Sequence, residues 1–145
     1  MSTQLTEHDR ATFAGIADIL IPAAEGMPSA SQVDVHKAVL DRILSLRPDL
    51  VENFLRGIRA SAGKDPLAAA NALNKADTPA LSAIGLVASA GYYMEPRVRQ
   101  LIGYPGQEKR PETDPDATPE YVTNGMLQQV IARGPIYKPT PKAKS

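Results

Sequence analysis

The chain has no cysteine and no tryptophan, only two histidines and two phenylalanines, and no excess charge of either sign. Without cysteine there is no disulfide framework, no thiolate nucleophile, no iron–sulfur ligation and no cysteine zinc site. Sixteen basic side chains balance sixteen acidic ones. That balance removes the electrostatic footprint of a nucleic-acid binder, whose phosphate affinity comes largely from Lys and Arg, so nucleic acid is not expected as a partner. Apolar runs are short, so no membrane-spanning helix is expected either. The N-terminus lacks a basic stretch followed by an apolar one, and Arg10 is not part of a twin-arginine pair, which predicts a cytoplasmic protein, or a periplasmic one if a leader has been removed.

What remains is an aliphatic, Ala-rich chain: 43% of its 145 residues are hydrophobic but only 5% aromatic. A chain of this length can bury a core without staples, and small aliphatic side chains suit closely packed helices. Periodicity and capping signals place the elements. Thr6 with Asp9 three residues later resembles a capping box, followed by Phe13, Ile16, Ala17 and Leu20 at helical spacing, with Pro22 as the stop. Residues 22–30 read as a loop. Ser31 is the expected cap of a second helix whose inward stripe is Val35, Val39, Ile43 and Leu46. Pro48 opens a third, with Leu50, Val51, Phe54, Leu55 and Ile58 inward and Gly63 beyond its end. Asp65-Pro66 and Thr78-Pro79 repeat the cap-then-proline signature for two more helices. The second of these carries Leu81, Ile84, Leu86 and Val87 among many Ala, Ser and Gly residues, and is predicted to end near Gly91 at the centre of the bundle.

Beyond Gly106 the composition turns polar, and eight of the thirteen prolines lie from Pro96 onward. Such a segment buries little on its own. Thr118-Pro119 caps an expected helix over residues 119–133, with Tyr121, Val122, Met126, Val130 and Ile131 on one face and Gly125 as a weak point. The reading is therefore all-α: a bundle of five to six helices over residues 1–106, and a Pro-rich C-terminal arm over 107–145.

Catalytic chemistry is hard to find. His8 and His36 lie in different predicted helices without a His-x-x-x-His or Glu-x-x-His partner, no serine sits in a nucleophile elbow, and Gly103-Tyr104-Pro105-Gly106 lacks the Lys-Ser/Thr and preceding strand of a phosphate loop. The chain is expected not to be catalytic by itself and to hold no cofactor or metal. Binding is better served. All five tyrosines, Tyr92, Tyr93, Tyr104, Tyr121 and Tyr137, fall in the last 54 residues, and tyrosine supplies contact area and a hydroxyl at little rotamer entropy. Tyr92 and Tyr93 read equally as core or interface, and Tyr137 as interface. Pro96, Arg97, Pro105 and Gly106 lie within the same stretch and complete the predicted contact set.

Gly91-Tyr92-Tyr93, Pro96, Leu101, Gly103-Tyr104-Pro105-Gly106 and Arg110-Pro111, with the Ile19-Leu20-Ile21-Pro22 end of the first helix, resemble the motifs of the gluconate 2-dehydrogenase subunit 3 family over roughly residues 6 to 111. The resemblance implies a helical small (gamma) subunit of a heteromeric dehydrogenase. Its partner would be a large flavoprotein of the glucose-methanol-choline type that carries FAD and oxidises an alcohol group of a sugar, sugar acid or other alcohol. It also implies an accessory role in the partner's stability, folding or export, and a possible part in shaping its substrate entrance. Members commonly carry a twin-arginine leader, which this sequence lacks. Alternative readings are a self-contained helical enzyme or ligand-binding protein, and a generic protein–protein adaptor.

Overall fold

The computed structural model describes residues 5–107 and 118–136. Every regular element among them is helical. The chain divides between Gln107 and Glu108 into two compact units. The first contains α1 (Glu7–Leu20), α2 (Ala38–Leu46), α3 (Pro48–Ser61), α4 (Pro66–Ala76), α5 (Thr78–Met94) and α6 (Pro96–Leu101).

Local chemistry explains most of the helix starts. The Thr6 hydroxyl accepts from the Asp9 amide at 3.1 Å while the Asp9 carboxylate accepts from the Thr6 amide at 2.9 Å, a reciprocal capping box with Asp in the Glu position. Pro48, Pro66 and Pro96 each open a helix where the missing N–H has no intrahelical partner to lose. Asp65 caps α4 through the Ala68 amide at 2.9 Å. For α5 the cap is Asp77, which accepts from the Ala80 amide at 3.2 Å, rather than the expected Thr78, whose hydroxyl donates back to the Asn74 carbonyl at 3.1 Å.

α5 is the hub: it packs against α1, α2, α3, α4 and α6. Its inward residues are Ala80, Ala83, Ile84, Val87, Ala88, Gly91 and Tyr92, and their small size lets neighbours come close. At Gly57 of α3 a Cβ would lie 2.9 Å from Ile84 Cδ1 and 3.1 Å from Ala80 Cβ, so only glycine permits this crossing without repacking. Phe13 of α1 and Phe54 of α3, both fully buried, meet edge to face with centroids 5.2 Å apart at the centre of a mostly aliphatic core.

Four expectations are corrected. The second helix begins at Ala38, not Ser31. Residues Ser31–Val33 instead form a single 3₁₀ turn ended by Asp34 in the left-handed region at φ 60°. The cause lies thirteen residues upstream, where the Asp18 carboxylate of α1 accepts the Ser31 amide at 2.7 Å and its hydroxyl at 2.6 Å, holding the chain in the turn. Because the helix starts late, Leu40, Ile43 and Leu44 form its buried stripe, Val39 is half-buried and Leu46 is exposed. Second, α5 does not stop near Gly91 but runs through the Tyr pair to Met94. Third, Leu86 points outward.

The fourth concerns the second unit. The expected helix over residues 119–133 is two short helices, α7 (Glu120–Thr123) and α8 (Gln128–Arg133), separated at Asn124-Gly125, where Gly125 takes φ 82° and the Asn124 side chain accepts the Met126 amide at 3.0 Å. A left-handed glycine ends the first helical run. Thr118 makes no cap, since Pro119 holds the N-cap position without a side-chain bond. Arg110-Pro111 and Tyr137 lie outside the described residues.

Burial raises the Asp18 pKa, but the two bonds from Ser31 outweigh it and the net shift is downward. A depressed carboxylate contributes stability that is present above the unfolded value of about 3.9 and is lost as pH falls through the lower folded value. Asp18→Asn is therefore expected to cost about 1–3 kcal/mol at pH 7, the cost of leaving buried donors poorly paired. Its difference from the parent should shrink at pH 3 in denaturant titrations. Asp9 is depressed as well, chiefly by the Thr6 amide bond, so the parent and the Asp18→Asn variant both retain acid sensitivity from that site.

Candidate functional site

The α5–α6 corner carries most of the predicted contact residues, and the structure sorts them. Tyr92 faces inward and belongs to the core, 4% exposed. Its hydroxyl donates to the Pro28 carbonyl at 2.7 Å across 64 residues of sequence, which pins the 21–37 loop to the end of the central helix. Burial pushes its pKa upward, so the hydroxyl remains a donor through the neutral range. Tyr93 is turned outward, 58% exposed, with its ring edge-on to Tyr92 at a centroid distance of 5.5 Å. Tyr92 is thus the positioning residue and Tyr93 the presented one.

Removing the anchoring hydroxyl leaves the Pro28 carbonyl unpaired. Tyr92→Phe is accordingly expected to lose about 1–2 kcal/mol. For a domain of this size that is a melting-temperature drop on the order of 5–10 °C, readable by circular dichroism. An unchanged melt would show that the loop is held by its other bonds alone.

Those other bonds are several. Arg10 of α1 donates to both oxygens of Asp41 at 2.8 and 3.0 Å and to the His36 carbonyl at 3.1 Å. The Ala30 amide reaches the Ile21 carbonyl at 3.1 Å, and the Ser29 amide the Gln32 side chain at 2.8 Å. The tip of the loop is a two-residue turn at Glu25 (φ 49°) and Gly26 (φ 85°), closed by reciprocal Ala24 and Met27 backbone bonds of 3.1 and 2.8 Å. Between this loop and α6 lies an open cleft of ≈ 430 Å³ lined by Gly26, Met27, Pro28, Gln32 and Arg97.

Buried Val98 anchors α6, and Pro96 and Arg97 are exposed on its first turn. The helix closes in a Schellman arrangement, with the Tyr104 amide on the Arg99 carbonyl at 2.8 Å, the Gly103 amide on the Gln100 carbonyl at 3.1 Å, and Gly103 left-handed at φ 67°. This closure presents Leu101, Ile102 and Tyr104, each about half exposed, next to exposed Pro105 and half-buried Gly106.

One element of the surface was not anticipated. α5 contains no charged residue along its whole length, so its apolar pattern gives no clue to which side is outside. Leu86, 52% exposed, and Tyr93 are seven residues apart and share one helix face, with exposed Ser89 and Ala90 between them. Ser82 and Ser89 are the only polar side chains on this face, which otherwise leaves Leu86 and Tyr93 uncovered among the described residues. In the second unit, Tyr121, Val122, Met126, Val130, Ile131 and Ile136 are likewise exposed, and no residue of 118–136 is buried.

His8 is exposed and His36 half-buried, and no group of three His, Cys, Asp or Glu side chains suited to a metal ion gathers among the described residues. No helix among them is long and apolar enough to cross a membrane. No protein-family model, curated protein or solved structure matches the chain. The family resemblance therefore rests on the motifs themselves.

Proposed function

We propose that this protein is a non-catalytic small subunit that docks on a large FAD-bearing flavoprotein of the glucose-methanol-choline type, an alcohol- or sugar-oxidising dehydrogenase or oxidase, and stabilises it. The observation that carries the docking role is the uncharged central helix with its open Leu86–Tyr93 stripe, held in place by the Tyr92–Pro28 bond. Rigid aromatic and aliphatic side chains presented on a fixed frame lose little entropy on association, which is the character of interface anchors. The second unit suits a wrapping role, because Tyr121, Val122, Met126, Val130 and Ile131 are exposed among the described residues and would be covered on a partner. The Gly91-Tyr92-Tyr93 and Gly103-Tyr104-Pro105-Gly106 resemblance supports this choice of partner. Flavin and the catalytic groups then belong to the large subunit, and Arg97 with the adjoining cleft lies where it could border the contact.

Co-expression with a large flavoprotein of the glucose-methanol-choline type from the same genome tests the reading. The two chains are expected to co-elute as a heterodimer in size-exclusion chromatography at moderate salt. Separate elution at concentrations well above micromolar would remove the support for this partner and leave the adaptor reading to be pursued with others.

A further inference from the structure

The break between α7 and α8 carries the only Asn-Gly pair in the chain. Of the four asparagines, Asn53 lies inside α3 and Asn71 and Asn74 inside α4, followed by Phe54, Ala72 and Lys75; Asn124 alone precedes a glycine, in the turn between two short helices. Asparagine is thermally labile because its side-chain amide is a latent electrophile. The main-chain nitrogen of the next residue can attack Cγ and close a five-membered ring. Whether it does depends on how crowded and how committed that nitrogen is.

At Asn124-Gly125 neither obstacle stands. The Gly125 amide donates no hydrogen bond among the described residues, whereas the amides after Asn53, Asn71 and Asn74 sit in helix interiors, each held by a carbonyl four residues back. No Cβ flanks the nitrogen of Gly125, and the space where one would lie is open, with Gln128 Cγ 3.8 Å away. The Asn124 Oδ1 accepts the Met126 amide at 3.0 Å. That bond spans the Gly125 peptide and draws electron density from the carbonyl under attack. Both residues are exposed, and no residue of 118–136 is buried. Ring closure requires rotation about the Asn124 ψ, which stands at 6°. Only two local bonds oppose it, the one from Met126 and a 3.0 Å bond from the Gln128 amide to the Gly125 carbonyl.

We infer that Asn124-Gly125 is a site of spontaneous deamidation. The Gly125 nitrogen attacks Asn124 Cγ, a C–N bond forms, the Cγ–Nδ2 bond breaks, and the displaced nitrogen takes the Gly125 amide proton and leaves as ammonia, giving a cyclic imide. Water then opens either C–N bond of the ring. One opening gives aspartate; the other routes the main chain through the former side-chain carbonyl and gives isoaspartate. Water is the only co-reactant. Both products add a negative charge between α7 and α8, and isoaspartate adds a main-chain carbon, which the present turn does not accommodate without rearranging. The site is independent of the α5 face and of the partner proposed for it.

The test is storage of the full chain in warm, mildly alkaline buffer, with samples digested by trypsin and compared with fresh protein by chromatography and mass spectrometry. The peptide ending at Arg133 is expected to convert steadily into two separable products, each with the mass gain of an amide turned to an acid, isoaspartate in excess. Peptides carrying Asn53, Asn71 and Asn74 should stay unchanged. Gly125→Ala should slow the conversion by about tenfold or more, since a Cβ then crowds the attacking nitrogen. Asn124→Gln should suppress it, because its longer side chain has to close a six-membered ring. Conversion at Asn124 no faster than at the helical asparagines, conversion that Gly125→Ala leaves unchanged, or aspartate without isoaspartate, the mark of direct hydrolysis, would overturn the assignment.

Discussion

Phe54→Ala is expected to destabilise the first unit by about 3–5 kcal/mol, the usual cost of truncating a fully buried aromatic ring. The side chain has no exposure, and its loss also removes the edge-to-face contact with Phe13. The core cannot readily collapse to fill the space. On α3 the next turn is already in near-contact with α5 at Gly57, and the α5 side of that crossing is Ala80 and Ile84. Since domains of this kind are typically stable by only about 5–15 kcal/mol, the substitution should remove at least about a fifth of the total. Denaturant titration reads the effect, and a change below about 1 kcal/mol would mean that the two rings are not the centre of the packing.

The second large effect concerns association rather than folding. Leu86→Asp places a carboxylate on the open stripe of α5, at a position already half exposed. The folded chain should tolerate it within about 1 kcal/mol, as surface helical substitutions usually are. Within a docked interface the same carboxylate is desolvated without a partner, so the complex with the flavoprotein should weaken by about a hundredfold or more. Tyr93→Ala should act in the same direction, by about thirtyfold if the ring is an interface anchor. It should also cost the fold somewhat more than Leu86→Asp, because it removes the contact with Tyr92. The discriminating pattern is loss of binding without loss of the thermal transition. Full-strength binding by both variants would move the interface off α5.

The helices were legible wherever their determinants are local. Thr6 and Asp9, Asp65 with Pro66, and Pro48 act within one turn of the element they start, so the chain order alone exposes them. Ser31 was not legible because the group that decides its conformation is Asp18, on a different element. As a free serine before an apolar stretch it looks like a cap; as a donor to a carboxylate in α1 it becomes a turn. The outward position of Leu86 was hidden for the opposite reason. α5 carries no charge to mark its exposed side, and only the small polar Ser82 and Ser89 share the face of Leu86, so the placement of α1 to α4 and α6 around it decides which side is outside. Gly125 did announce the break between α7 and α8, and the local Asn124 bond completes it.

For the candidate site, the sequence singles out the α5–α6 stretch but not which of its side chains face inward and which outward. Adjacent residues on a helix point about 100° apart, so a Tyr-Tyr pair at a bundle edge places one ring in and one out. Which is which depended on the 21–37 loop offering the Pro28 carbonyl to Tyr92. That bond gives the exposed ring of Tyr93 a fixed floor, and it is why a conserved orientation of the presented surface can be expected from solution to complex.

The central claim is that this chain serves a flavoprotein and performs no chemistry itself. Its most direct test is the flavin content of the large subunit, measured by absorbance per mole of polypeptide, after production with and without this chain. The expected result is a large subunit rich in bound FAD and active only when co-produced with this chain, while this chain alone shows neither flavin absorbance nor turnover. Equal flavin loading and activity in its absence, or turnover by the isolated chain, would contradict it.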